Sequence, residues 1–117
     1  MDTVALILQI LLAVAFTGAG ATKLLGAQMQ IENFERWQIS QSRRPLIGAY
    51  ELLGALGMVV GIFVEEVAIA AGVWLAAAMV GALLTHRRIN DLVSRYIPAF
   101  VLLILSVVVF ALRAAEL

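Results

Sequence analysis

Pro45–Val64, PLIGAYELLGALGMVVGIFV, is a run of twenty residues with one ionisable side chain, Glu51. Its length and apolar character predict a membrane-spanning helix. At a rise of about 1.5 Å per residue, Glu51 lies about 9 Å below the start of the span, inside the hydrocarbon and short of its middle. A carboxylate at that depth needs a partner and by default marks a site. Lys23 and His86 are the two basic side chains placed to reach it.

The composition places the whole chain in the same class. It is 63% apolar and 14% charged with a mean hydropathy of +1.02, against about 45–50% and 25% in soluble domains. These values predict an integral membrane protein forming one domain over residues 1–117. Net charge is zero and no basic tract stands out, so nothing points to a nucleic-acid partner. The chain has no cysteine, which removes disulfides, thiolate nucleophiles, iron–sulfur ligation and thiol relays from what it can do alone. One histidine and one nearby carboxylate fall short of a metal site's usual ligand set.

Three more apolar runs flank the first: Val4–Gly26, Val67–Thr85 and Ile97–Leu112. The N-terminal run opens on Met1-Asp2 and is longer than the apolar stretch of a secretory signal, so it reads as a retained span. The last is short and is expected to gain a turn from the segment before Pro98. Because lipid satisfies no backbone hydrogen bonds, the expected fold is all-α, a four-helix membrane bundle. Lys23, Arg36, Arg43, Arg44, Arg87, Arg88 and Arg95 then fall on one side and Arg113 alone on the other. Lys and Arg accumulate in cytoplasmic loops, which places both termini outside the cytoplasm of an inner-membrane protein.

The long loop, residues 27–44, AQMQIENFERWQISQSRR, repeats Ile31, Phe34 and Trp37 at helical spacing. It predicts a short interfacial helix with Trp37 at headgroup level and a Glu32–Arg36 pair, either an anchor or a lid over a pocket. Ser42 and Pro45 suit the start of the following span. Small residues mark the helix contacts: Gly57 with Gly61, Ala77 with Gly81, and Ala13, Thr17, Gly20 and Ala21 in the first span. They fit packing within the chain and equally a homo-oligomer. The Val- and Leu-rich last span is expected to face lipid.

Side chains lean toward their own helix N-terminus, so Lys23 and His86 lean inward while Glu51 leans out to meet them. Tyr50 beside Glu51, and Trp37 as an aromatic wall, complete the candidate set. Plainer roles exist for each: Lys23 snorkelling to headgroups, His86 as an interfacial residue, Glu51 as a structural hydrogen-bond partner.

Gly20-x-x-Lys23-Leu24, Gly48-Ala-Tyr-Glu51-Leu-Leu-Gly54 and Met79-Val-Gly81-Ala82-x-x-Thr85-His86 together resemble the DoxX-like family of small four-helix bacterial membrane proteins. The resemblance implies a membrane protein rather than an established stand-alone enzyme. Some relatives are described as membrane subunits of quinone-linked oxidoreductases, and many have no assigned activity. Lys23, Glu51 and His86 are the positions that match its motifs. A redox role based on thiols cannot transfer to a chain without cysteine.

Three functions fit this reading. One is a non-catalytic subunit or anchor of a redox complex, with a soluble or membrane redox partner and a polar cluster that binds a quinone or a lipid headgroup. Another is a small proton-coupled transporter using Glu51. Small multidrug transporters, however, carry their acid in the first helix and have a weak charge bias, unlike this chain. An assembly or chaperone role is the third.

Overall fold

The computed structural model describes residues 2–117, which form five helices and, among the described residues, no strand. In order these are α1 (Thr3–Leu25), α2 (Gln28–Trp37), α3 (Arg44–Val60), α4 (Glu65–Arg88) and α5 (Val93–Ala114). Helices α1, α4 and α5 are each long and apolar enough to cross a membrane. Helix α3, with 17 residues, is about 26 Å long and falls short of a hydrocarbon layer about 30 Å thick.

The span expected to continue to Val64 therefore stops at Val60. Bonds from Ile62 N–H to Val59 C=O and from Phe63 N–H to Val60 C=O tighten its end into a turn. The reversal into α4 is close: a Cβ on Gly61 would fall 2.6 Å from the Ala68 Cα, and one on Gly57 would fall 2.9 Å from the Ala71 Cβ. The expected Gly57/Gly61 contact is thus the floor of the α3–α4 hairpin. A helix that ends inside a bundle leaves carbonyls without partners. Gln9 of α1 donates its amide to one of them, Met58 C=O, at 3.0 Å.

At its start, α1 is capped by the Asp2 carboxylate, which accepts from Val4 and Ala5 N–H. It ends on Gly26 at φ +72°, the left-handed geometry glycine adopts without a Cβ penalty. Helices α1 and α3 run antiparallel, their backbones meeting where a Cβ on Gly48 would fall 2.6 Å from Gly20 C=O. Leu12, Phe16, Met58, Leu75 and Val109 fill the core between the helices. Helix α5 begins five residues before Pro98, as its short apolar run required, and turns Ile97, Phe100, Ile104 and Val107 outward. That outer face is suited to lipid.

Other local expectations need correction. Ser42 does not cap α3: the chain is already helical at Arg43 (φ −82°, ψ −21°), and the Ser42 hydroxyl pairs with that of Ser40. Glu32 and Arg36 do not pair, because Asp91 draws Arg36 away to 2.6 Å and Glu32 takes the Gln28 amide instead. The Ala77/Gly81 stripe makes no helix contact at Gly81, where a Cβ would meet nothing within 4 Å.

Candidate functional site: a cavity under α2

The crossing of Gly20 and Gly48 sets the site. Lys23 is one turn after Gly20 and Glu51 one turn after Gly48, on helices of opposite direction. Each side chain leans back toward the crossing. Lys23 Nζ reaches 2.8 Å from Glu51 Oε1, with both side chains almost wholly buried. The pair neutralises charge, and the Lys23 ammonium, with three N–H groups, keeps donors for a further acceptor.

Above the pair lies a cavity of about 630 Å³ between α3 and α4, whose lining includes all five candidate residues, Lys23, Trp37, Tyr50, Glu51 and His86. Helix α2 closes its arginine-rich end with Phe34, fully buried, and Trp37. Trp37 lines the cavity, and its indole N–H is buried without an acceptor among the described residues. A buried donor left unpaired costs about 1–3 kcal/mol, so the position favours an acceptor arriving from elsewhere.

His86 does not pair with Glu51. Its Nδ1 lies 2.6 Å from Asp91 Oδ2, because Asn90, at φ +52°, turns the chain back after α4 and lays Asp91 against the helix end. His86 still lines the cavity, and Trp37 packs edge-on to its ring at 6.0 Å. Tyr50 lines the cavity but spends its hydroxyl on Trp74 C=O at 2.5 Å. Trp74 Nε1 returns a bond to Tyr50 C=O at 2.8 Å and the rings stack 4.1 Å apart. Tyr50 therefore clasps α3 to α4.

Asp91 was not among the residues singled out from the sequence, yet it collects Arg36 of α2, His86 of α4 and Arg95 of α5 around one carboxylate. Burial works against its ionisation, and the hydrogen bonds from Arg36 and His86 outweigh it, holding Asp91 well below the usual carboxylate range. Arg88 adds a bond to Trp37 C=O, and Gln30 one to the Thr22 hydroxyl. Helix α2 is thus latched at both ends. The signal for Asp91 was an Asn-Asp pair, turn-forming residues, directly after an arginine-rich helix end.

A second polar group, visible in the sequence only as a charge, centres on Arg113. Arg113, 1% exposed, donates Nε to Gln9 Oε1 at 2.7 Å and Nη1 to Glu116 at 2.9 Å. It joins α5 to α1 at the end of the bundle opposite the cavity.

The sequence profile of the DoxX-like family matches residues 7–109, which include Lys23, Glu51, His86 and Asp91. The chain belongs to the DoxX-like family. An uncharacterized protein, YdgD of Bacillus subtilis (strain 168), is 30% identical over 107 residues, covering 91% of this chain and 94% of that protein. No solved structure matches the chain. Family and apolar helices together make this DoxX-like chain a membrane protein.

Proposed function

We propose that this DoxX-like protein is a non-catalytic inner-membrane subunit or anchor of a quinone-linked redox complex, and that its cavity holds a quinone ring or an equivalent oxygen-bearing lipid head. The observation that supports this most is the convergence of Lys23, Trp37, Glu51 and His86 on one space of about 630 Å³, within the ~300–1,000 Å³ range of small-molecule sites. Lys23 Nζ and Trp37 Nε1 are donors suited to carbonyl oxygens, Glu51 holds Lys23 in place, and Trp37 and Phe34 offer flat apolar walls. A bound quinone would supply the two-electron chemistry, and a redox protein docked on the membrane would supply or accept the electrons.

In this reading α3 is a short fourth span, and the arginine-rich end, with α2, faces the cytoplasm. An alkaline phosphatase joined after Leu117 is then active, and an inactive fusion overturns the orientation. The transporter reading is less well supported: Leu12, Phe16, Met58 and Leu75 fill the bundle between Glu51 and the Gln9–Arg113 pair with apolar side chains.

The ligand is tested by purifying the protein from its membrane in mild detergent and extracting what it carries. Quinone retained by the wild type and lost from Glu51→Gln is the expected result. A wild-type protein that carries no quinone, or Glu51→Gln retaining the wild-type amount, overturns the assignment. Retention of a phospholipid in place of quinone reassigns the cavity to a lipid headgroup.

A further inference from the structure

We infer that the cavity takes its ligand sideways from the bilayer, through an opening between α3 and α4 bordered by Leu46, Ala77 and Gly81. The ligand is accordingly a tailed amphipathic molecule, its oxygen-bearing ring against Lys23 and Trp37 and its apolar chain left in lipid. This rests on the reading of the cavity as a binding site and adds to it the route and the ligand class.

The opening follows from how α3 and α4 pack. At the hairpin end the two helices touch, Gly61 on Ala68 and Gly57 on Ala71, and one turn further Gly54 lies on Leu75. Continuing that antiparallel register brings Ala78 level with Glu51 and Gly81 level with Gly48. There the contact is lost. Gly48 packs against α1, and a Cβ on Gly81 would meet nothing within 4 Å. The helices thus form a V that is closed at the hairpin, clasped by Tyr50 and Trp74, and open at the level of Glu51.

The mouth of the V is the cavity itself. Leu46, 70% exposed, and the exposed Ala77 and Gly81 line the same space as the buried Lys23 and Glu51. Gly81 precedes Arg88, the end of α4, by seven residues, about 10 Å along the helix, which sets the opening within the hydrocarbon rather than in water. The opposite approach, from the arginine-rich surface, is covered by α2 with its bonds from Arg36 to Asp91, Arg88 to Trp37 C=O and Gln30 to Thr22. A molecule already dissolved in lipid reaches the Lys23–Glu51 pair without moving α2, whereas a water-soluble one must break that latch.

The chemistry at the two ends of the path agrees with such a molecule. At the inner end Trp37 Nε1 is a buried donor without an acceptor among the described residues, and Lys23 carries N–H groups beyond the one that faces Glu51. At the outer end the small side chains of Ala77 and Gly81 leave room for an apolar tail and offer nothing polar to bind.

Gly18 supplies a matched control: it too is a helical glycine whose added Cβ would meet nothing within 4 Å, and it does not line the cavity. Binding of decylubiquinone and of its tail-less dimethoxy-methyl-benzoquinone ring is measured by equilibrium dialysis on the detergent-purified full chain, for the wild type, Gly81→Trp, Ala77→Phe and Gly18→Trp. Thermal melting reports folding of each, and Ala77→Phe carries the test should Gly81→Trp misfold.

The expected result is decylubiquinone bound by the wild type and by Gly18→Trp alike, with affinity weaker by about tenfold or more in the two plugged variants and for the tail-less ring. Plugged variants that bind like the wild type, or a ring that binds as well without its tail, overturn sideways entry. In that case loss of the ligand from Glu51→Gln still upholds the cavity as a site. A wild type that binds neither compound overturns both readings together.

Discussion

Gly20 of α1 and Gly48 of α3 lie backbone to backbone, so close that a Cβ on Gly48 would stand 2.6 Å from the Gly20 carbonyl oxygen and 2.9 Å from the Lys23 Cβ. That contact brings Lys23 within 2.8 Å of Glu51. In a membrane, where apolar side chains gain little by leaving lipid for one another, backbone approach of this kind is a main source of helix association.

Gly48→Ala therefore pushes α1 and α3 apart. Overpacking of a tight contact costs about 1–3 kcal/mol, and thermal melting in detergent should fall accordingly. Gly18→Ala, in open space on the same helix as Gly20, should hold or raise stability by up to about 1 kcal/mol through helix propensity. Equal effects from the two substitutions would remove the crossing from its organising role.

The Lys23–Glu51 pair predicts a non-additive pattern. Lys23→Met strands a buried carboxylate, a loss of about 3–5 kcal/mol for a broken buried ion pair. Replacing both, Lys23→Met with Glu51→Leu, puts two apolar side chains in contact and should recover most of that stability. Denaturation of the two singles and the double closes the cycle, and a double variant as unstable as the sum of the singles would show that the two residues are not coupled.

Much of this architecture was legible in the sequence because it rests on periodicity and composition. The apolar runs gave the helices, the Ile31/Phe34/Trp37 spacing gave α2, and the lean of side chains toward helix N-termini brought Lys23 to Glu51. What escaped were contacts made by residues that reverse direction. Val59–Val64 is uniformly apolar, so nothing in its hydropathy marked the end of α3 at Val60; the Gly61–Ala68 packing decided it. Asp91 drew Arg36 and His86 to itself because Asn90 turns the chain, an effect of local backbone geometry and not of hydrophobic pattern. Arg113 Nε donates to Gln9 Oε1 across 104 positions of sequence, a pairing no window-based reading contains.

That pairing carries its own prediction. Gln9 both caps Met58 C=O and accepts from Arg113 Nε, so Gln9→Leu leaves two buried polar groups open. Each costs about 1–3 kcal/mol when unsatisfied. Melting should drop by more than for Gln9→Glu, which keeps an acceptor for Arg113, and hydrogen exchange should quicken at the C-terminal turn of α3. A Gln9→Leu variant as stable as the wild type would mean that this end of the bundle is wet enough for water to replace both bonds.

The Asp91 latch makes α2 sensitive to acid in one direction only. Because the Asp91 pKa is held down in the folded protein by Arg36 and His86, against burial, its stabilising contribution is complete at neutral pH. That contribution is lost only as pH falls below about 4, the ordinary value of an aspartate in an unfolded chain. Hydrogen exchange of the α2 amides, Gln28–Trp37, should accordingly show no dependence on the Asp91 carboxylate between pH 7 and about 5, once corrected for the intrinsic rate, and loss of protection in stronger acid. Asp91→Asn removes the charge that gathers Arg36, His86 and Arg95. It should speed exchange in α2 at neutral pH while leaving the amides of α1 around Leu12 and Phe16 protected, since those belong to the apolar core. Exchange in α2 unchanged by Asp91→Asn would show that the bonds of Gln30 and Arg88 hold the helix without the latch, and uniform loss of protection through α1 would make Asp91 a determinant of the whole bundle and not of α2 alone.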